Sequence, residues 1–232
     1  MGQTPRTIHG QDLEAAIRVV AWQQIGTVGA PALSLRAIAR ELGITAPAIY
    51  NYFPRRDDLV TALIIEAYTS FGDSQLAARD SVPHSNLFGR LAAIGAAYRT
   101  WAITYPQRYQ LIFATAIPGY EAPQGQVTPV GARAMSALIS VVEALHQAGA
   151  LRATAIPQVT PEQAAAFRLW RSSGDEVADL SIWLAVYIWS CVHGLVSLEI
   201  AGHLPSFGPD GDALYRFGLA TLTQYLFKLE DS

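Results

Sequence analysis

The stretch SLRAIARELGITAPAIYNYF, residues 34–53, carries the densest set of local structural signals in the chain. Ser34 suits a helix N-cap, because its hydroxyl can accept a hydrogen bond from an amide of the first turn. Apolar residues then recur at helical spacing up to Leu42, and Gly43 suits the position just past a helix end. Ile44 is the apolar plug of the turn. The stretch therefore predicts a helix, a tight turn and a second helix.

The second helix is predicted to have Thr45 as its cap and to run from Ala46 to about Phe53. Pro47 falls in its first turn, where the missing N–H would have no helical partner in any case. Ile49 and Phe53 are four residues apart, so they share one face and are expected to point into the core. The remaining side chains of this helix are left around its outside.

The outward side chains suit contact with double-stranded DNA. Ala48 or Pro47 can touch a thymine methyl group, and Asn51 can pair with adenine or donate to a phosphate. Tyr50 and Tyr52 can donate hydroxyl hydrogen bonds to phosphates, which fix register rather than sequence.

A pair of arginines follows directly, after Pro54 ends the helix. Arg55 and Arg56 stand at the start of the next helix, where positive charge opposes the helix dipole, so phosphates are their natural counter-charge. An ordinary helical hairpin with surface tyrosines is the alternative. The cap, the glycine turn, the proline, the aromatic order and the arginine pair all agree instead with a DNA-reading helix-turn-helix.

This pattern resembles the DNA-binding domain of TetR-type (tetracycline-repressor-like) transcriptional regulators. Those proteins place a small residue, an aliphatic residue, Tyr, a polar residue, an aromatic residue and Phe before basic residues, as residues 48–56 do here. Many relatives carry Lys, Arg or Ser where this chain has Ala46 and Pro47. We therefore expect fewer hydrogen bonds from this helix to base edges. The resemblance implies DNA contacts at Arg36, Thr45, Ala46, Pro47, Tyr50, Asn51, Tyr52 and Arg56.

The distribution of charge fits a protein that docks one end on phosphate. The whole chain has a net charge of −3, but residues 1–56 hold six arginines against three acidic residues, giving +3, and the rest carries −6. A basic head on an acidic body suits DNA binding. Arg6, in an arm at residues 1–9, could reach a minor groove; a disordered tail is the alternative.

Composition narrows the class of protein. A chain of 232 residues, 51% of them hydrophobic, can bury a sizeable core in one large domain or two small ones. The single cysteine, Cys191, excludes an internal disulfide framework and a Cys-rich zinc site. No signal-peptide pattern, phosphate loop, G-x-S-x-G motif or metal-spaced His and carboxylate set occurs. We therefore expect a cytoplasmic protein that is not an enzyme, with no catalytic residue, cofactor or metal.

Helical periodicity continues through the rest of the chain, so the predicted fold class is all-α. The Pro- and Gly-rich residues 117–131 are predicted to form a long irregular loop. The predicted organisation is a DNA-binding head at residues 1–56, a connecting helix at 57–80, and a ligand-binding and dimerisation domain at 81–232. The predicted helices outside the helix-turn-helix are 10–27, 57–79, 87–104, 105–115, 132–148, one from 161 through 170, 176–201 and 212–229.

The segment WSCVHGLVSLEIAG, residues 189–202, resembles one C-terminal subtype of the same family. That subtype is named for its Trp, His and Gly, here Trp189, His193 and Gly194. The resemblance thus covers nearly the whole chain and implies a dimeric, ligand-responsive regulator, most simply a repressor, that binds a near-palindromic operator. The alternative is a helical small-molecule sensor or enzyme that does not bind DNA.

Residues 180–198 contain no Asp, Glu, Lys or Arg and could span a bilayer by hydropathy alone. Acidic residues flank this segment and no Lys or Arg does, so it lacks a positive-inside anchor. A helix that is apolar all round can instead be buried on every side. We expect the last two helices to pair with those of a second copy in a four-helix dimer interface, with no membrane involved.

Aromatic side chains crowd the C-terminal part. Each alone suits an ordinary core, whereas together they suggest an apolar cavity for a small neutral or aromatic ligand. Cys191 lies about 200° round the helix from His193, so the two cannot form a thiolate–imidazole couple. His193 is read as a hydrogen-bonded core residue or a ligand contact. The candidate ligand-binding residues are Tyr98, Trp101, Tyr105, Tyr109, Phe113, Trp170, Trp183, Tyr187 and His193.

Overall fold

The computed structural model describes residues 10–114, 116–152, 156–166, 177–204 and 211–229. These residues form ten α-helices and a short 3-10 helix at Ala30–Ala32, and one isolated β-bridge joins Leu151 to Phe227. The all-α prediction is confirmed. The helices are α1 Gly10–Val28, α2 Leu35–Glu41, α3 Ala46–Tyr50, α4 Arg56–Asp80, α5 Leu87–Thr104, α6 Pro106–Phe113, α7 Gln124–Gln147, α8 Pro161–Ala166, α9 Asp179–Ile200 and α10 Asp212–Leu226.

The chain divides into two compact units whose boundaries cut across the order of the sequence. Unit 1 holds the described residues up to Tyr68 together with Gln107–Thr128. Unit 2 holds Thr69–Pro106 and the described residues from Pro129 onward. The sequence-based division places residues 107–128 in the C-terminal domain, whereas here they cluster with the helix-turn-helix.

The core of unit 1 explains that grouping. Ile17, Ile38 and Ile49, from α1, α2 and α3, are fully buried in one hydrophobic cluster. Leu111 and Ile117 are buried in the same cluster, and further apolar side chains from residues 107–128 pack against it. Burial of apolar surface is the main favourable term in folding, so this later segment belongs to the core of the DNA-binding unit.

Unit 2 is organised around the inner face of α5. Tyr98 and Trp101 are buried there, and both rings pack on Phe71 of α4, with centroids 5.3 and 5.1 Å apart. The guanidinium of Arg99 pairs with Glu199 of α9 at 2.6 Å and with Asp212 of α10 at 3.1 Å. These contacts join α5 to both of the last two helices.

The expectation of an irregular loop over residues 117–131 is confirmed for residues 117–123 and wrong for residues 124–131, because α7 already begins at Gln124. Pro129 lies inside this helix and has no N–H to offer the carbonyl of Gly125. That carbonyl is in the exposed first turn, where water can replace the missing donor. Burial of Val127 against the unit 1 core also favours an ordered helix. Local composition therefore misled the prediction.

Other helix ends differ from prediction by a few residues. α3 ends at Tyr50 rather than Phe53, and α10 ends at Leu226 rather than at 229, because Phe227 turns away to pair with Leu151. The predicted arm with Arg6, the predicted helix beyond residue 166, and Trp170 lie outside the described residues. The predicted start of α9 at residue 176 also lies outside them.

Among the residues that the structure describes, two helices, Gln124–Gln147 and Asp179–Ile200, are long and apolar enough to cross a bilayer by length and composition. Core helices of soluble proteins meet the same criterion. In each helix 39% of the most apolar window is buried within this single chain, which leaves apolar surface on both.

Candidate nucleic-acid interface

The first helix of the helix-turn-helix forms as the sequence predicts. The backbone N–H of Ala37 donates to the Ser34 hydroxyl at 3.3 Å, and Gly43 adopts a φ of +66° just past the helix end. A residue that sequence reasoning missed adds a second anchor. The Gln24 side chain of α1 accepts a 3.3 Å hydrogen bond from the backbone N–H of Ser34. Nothing in the sequence near Gln24 signals this contact, because the partner lies on a different element.

The second helix is open to solvent on the predicted side. Ile49 and Phe53 are buried, with 0% and 5% of their surface exposed, and they hold the helix against the unit 1 core. Exposed positions carry short or planar side chains, which let a nucleic-acid groove approach closely. The residues classed as exposed are Thr45, Ala46, Pro47, Tyr50 and Asn51.

Three predicted contact residues differ from the sequence-based prediction. Thr45 takes the extended backbone of an N-cap, but its hydroxyl makes no capping hydrogen bond. That hydroxyl is therefore not used by the helix. Tyr52 is half-buried and packs against the hydrophobic cluster, because α3 ends before it and the chain turns inward. Ala48 is also half-buried.

The arginine pair divides into two roles. Arg56 donates to the carbonyl oxygens of Ala30 at 3.1 Å and Pro31 at 2.9 Å, so it ties the start of α4 to the turn before α2. The Arg55 side chain is 77% exposed and pairs with Asp58 at 2.8 Å, which lowers the pKa of that carboxyl. Arg36 and Arg40 also lie exposed, on α2. Within the helix-turn-helix and the turn that follows it, the exposed cations are thus Arg36, Arg40 and Arg55, while Arg56 is mainly an anchor.

The aromatic residues proposed as ligand contacts are divided between the two units. Tyr109 and Phe113 belong to unit 1, where their rings pack together at 5.2 Å. Tyr105 and Tyr187 are exposed, and Trp183 lines an open groove of about 380 Å³ on unit 2 with Tyr187 and Tyr225. Tyr98 and Trp101 are buried within unit 2.

A small cavity also occurs inside unit 2. Its volume is about 40 Å³, and it lies between α4, α5, α7, α9 and α10. Its lining is mainly apolar and contains no charged side chain; Tyr98 and Gln75 are among the polar contributors. Of the predicted ligand residues that the structure describes, only Tyr98 lines it.

His193 is a hydrogen-bonded residue close to this cavity. Its Nδ1 lies 3.0 Å from the Tyr98 hydroxyl and its Nε2 lies 3.3 Å from the Ser197 hydroxyl. Its ring stacks on Trp189 at 5.0 Å, as their four-residue spacing predicts. Burial lowers the pKa of His193, which favours the neutral ring at neutral pH.

Comparison with known proteins agrees with this geometry. Residues 17–63 match the family described as bacterial regulatory proteins, tetR family, and residues 91–222 match the tetracyclin repressor-like C-terminal domain. The HTH-type transcriptional regulators Mb1846 of Mycobacterium bovis (strain ATCC BAA-935 / AF2122/97) and Rv1816 of Mycobacterium tuberculosis (strain ATCC 25618 / H37Rv) are each 31% identical over 220 residues. That alignment covers 93% of this chain and 94% of each relative.

Solved structures show the same relationship. The crystal structure of SCO4313 matches with a TM-score of 0.77 at 36% identity, covering 95% of this chain and 100% of that one. The TetR family transcriptional regulator PfmR from Thermus thermophilus shares the fold, with a TM-score of 0.60 at 13% identity, covering 91% of this chain and 99% of that one. Relatives named as transcriptional regulators also confirm the prediction that the protein is not an enzyme. The chain belongs to the tetR family of bacterial regulatory proteins, and it is a DNA-binding transcriptional regulator.

Proposed function

We propose that the protein is a cytoplasmic, homodimeric repressor that binds a near-palindromic operator and releases it when a small apolar or aromatic molecule binds unit 2. The observation that carries this proposal is the exposed outer face of α3, held in place by the buried Ile49 and Phe53. A recognition helix needs that combination, because its base-reading side must stay free while its other side is fixed.

The proposed contacts sort by chemistry. Ala46, Pro47 and Ala48 meet thymine methyl groups and sugar edges, and Asn51 reads a base edge. Arg36 and Arg55 supply salt-dependent phosphate contacts, and Arg56 adds to these from its anchored position. The hydroxyl groups that fix register on the phosphates are those of Thr45, Tyr50 and Tyr52.

The dimer is proposed to form through α9 and α10. Their outer faces carry exposed apolar side chains, among them Tyr187 and Leu198 on α9 and Phe217 on α10, which is 70% exposed. Gly194 lies on the same side of α9, and no atom comes within 4 Å of where a Cβ would stand. A second copy can therefore approach the α9 backbone closely. We expect the two DNA-binding units of the dimer to occupy half-sites about one helical turn apart or somewhat more.

Dimerisation is tested by Gly194→Trp, which we expect to shift the sedimentation equilibrium from dimer to monomer. Gly125→Trp is the matched control, because Gly125 is also helical with open space at its Cβ but lies on α7. A dimer that survives Gly194→Trp unchanged would place the interface elsewhere.

The ligand is proposed to enter the unit 2 cavity, whose uncharged lining favours a neutral apolar or aromatic molecule. A volume of about 40 Å³ holds only a few waters, whereas drug-sized sites span roughly 300–1,000 Å³. The bound state must therefore be an expanded conformer, and the ligand shifts DNA binding only through its higher affinity for that conformer. Helix α4 begins in unit 1 and ends in unit 2, so we propose it as the lever.

DNA binding is tested by selecting duplexes from a random pool with the full chain and measuring affinity by fluorescence anisotropy. We expect a two-fold symmetric consensus, and a gel shift of the DNA upstream of the protein's own gene. Asn51→Ala should narrow the gap between selected and random duplex by about 1–3 kcal/mol. If the protein selects no sequence and shifts no DNA, the proposed operator-binding role is wrong.

A further inference from the structure

We propose that Arg108, on α6 and far from the helix-turn-helix in sequence, is a positioning residue that sets the geometry of the DNA-reading helices. The inference rests on DNA binding through α3. It concerns a side chain that makes no part of the proposed contact surface. Its basis is a polar cluster within unit 1 that joins three helices.

The cluster is formed by Arg108, Glu66 of α4 and Trp22 of α1. The Arg108 guanidinium donates to Glu66 Oε1 at 2.9 Å, and its central carbon lies 5.2 Å from the centre of the Trp22 ring. Trp22 Nε1 donates to the same Glu66 oxygen at 3.0 Å. The Arg108 and Glu66 side chains are only 25% and 27% exposed, so solvent screens this pair less than a pair at the open surface. The Trp22–Glu66 hydrogen bond joins α1 to α4 directly, and Arg108 of α6 contacts both partners, so it braces the spacing of the two helices.

These two helices are the supports of the helix-turn-helix. On α1, Gln24 follows Trp22 by two residues and holds the backbone N–H of Ser34, the N-cap of α2. On α4, Arg56 holds the carbonyls of the 3-10 turn that leads into α2. A change in the spacing of α1 and α4 therefore moves both anchors of α2, and α3 is packed on α2 through the shared core.

The surroundings of the cluster make the proposal testable. The three residues line an open cleft together with Glu14, Arg18 and Val19. Water can therefore reach the Glu66 carboxylate if the guanidinium is removed, and no charge is left buried without a partner. We therefore expect the Arg108→Ala protein to fold. Its defect should be a misalignment of the DNA-reading helices.

The experiment compares full-length wild type and Arg108→Ala on two duplexes of about 30 base pairs, enough for two half-sites. One duplex is selected by the wild type from a random pool, and the other has random sequence. We expect Arg108→Ala to bind the selected duplex about tenfold more weakly and the random duplex within about twofold of wild type. Misplaced reading helices lose base contacts, whereas phosphate contacts are sequence-blind. The dependence of affinity on salt should keep its slope.

The matched control is Arg133→Ala. Arg133 also extends from a later helix to an acid of α4, pairing with Asp73 at 2.6 Å, but that pair is exposed and lies in unit 2. We expect Arg133→Ala to leave both affinities unchanged. Affinities are measured at a temperature where circular dichroism shows each variant fully folded, so a loss of stability alone does not move them.

Several outcomes would overturn the inference. Equal loss on both duplexes, or a salt slope lower by about one, would make Arg108 a phosphate contact. Unchanged affinity for the selected duplex would make the cluster irrelevant to DNA binding. If Arg108→Ala does not fold, Glu66→Gln and Arg108→Lys decide: we expect the first to weaken selected binding only and the second to retain most of it, and the inference fails otherwise. A wild type that selects no sequence would overturn the operator proposal as well.

Discussion

Residues 34–53 and residues 107–128 share one hydrophobic core, but local sequence signals predict the structure of the first region better than that of the second. In the first region the N-cap of Ser34 and the positive φ of Gly43 form as local chemistry predicts. In the second, the Pro- and Gly-rich composition from residue 117 onward predicts a loop up to residue 131, but burial of Ile117 and the packing of Val127 accompany an ordered helix from Gln124 onward. Local signals decide a structure only where tertiary packing does not contradict them.

The largest expected effect tests whether the two regions contribute equally to the stability of the core. We expect Ile49→Ala and Ile117→Ala each to lower the free energy of unfolding by about 2–5 kcal/mol, because both side chains are buried. Chemical denaturation at fixed protein concentration measures this. Val28→Ala, at a site 60% exposed, should change it by less than about 0.5 kcal/mol. If Ile117→Ala alone changes the free energy of unfolding only slightly, the two regions do not contribute equally to the core.

The next effect separates anchoring from DNA contact in the first region. Arg56→Ala should cost about 1.5–3 kcal/mol of stability, because it removes charge-assisted hydrogen bonds to the Ala30 and Pro31 carbonyls. Arg36→Ala, at an exposed site, should leave stability unchanged and lower the salt dependence of DNA affinity by about one ion. Equal stability of the two variants in thermal unfolding would show that Arg56 is not an anchor.

A smaller effect tests why α7 forms despite its proline. Pro129 is exposed, so its replacement loses little packing, and Pro129→Ala restores the N–H that the Gly125 carbonyl lacks. We expect a gain in stability of about 1 kcal/mol or more, since a proline costs about 3 kcal/mol relative to alanine in a helix interior. A fall in the unfolding midpoint would mean that the proline itself shapes the helix start.

The smallest expected effect concerns pH and the body of the protein. Burial lowers the pKa of His193 in the folded state below its ordinary value of 6.5. Between the folded-state pKa and pH 6.5, His193 is therefore protonated in the unfolded chain but mostly neutral in the folded protein. This contribution to stability is present above pH 6.5 and is lost as pH falls through the folded pKa. His193→Gln should flatten the decline in stability between about pH 7 and pH 5. An unchanged pH profile would show that this histidine does not titrate differently on folding.

Much of the DNA-reading face could be predicted, because its signals lie within a few residues of each other. The burial of Ile49 and Phe53 followed from their four-residue spacing, and the exposure of Asn51 from its place beside them. The role of Arg56 could not be predicted. Its partners, the carbonyls of Ala30 and Pro31, lie about 25 residues earlier in the chain, and only the tertiary fold brings them next to Arg56.

The division of the predicted aromatic residues between the two units could not be predicted for the same reason. Tyr98 and Tyr109 lie eleven positions apart, but the first lines the unit 2 cavity and the second packs with Phe113 in unit 1. Residue type alone predicts burial well. It does not predict which of two cores receives the side chain, because that depends on the path of the chain.

The interleaving of unit 1 has a consequence for synthesis on the ribosome. A nascent chain that has emerged only as far as α5 lacks Leu111 and Ile117, so the sites they fill in the head remain open. Domains generally fold as units in the order of their translation, but this head must wait until about residue 128 has left the exit tunnel. During that delay an immature head exposes apolar surface, and competence to bind DNA comes only after part of the body has been made.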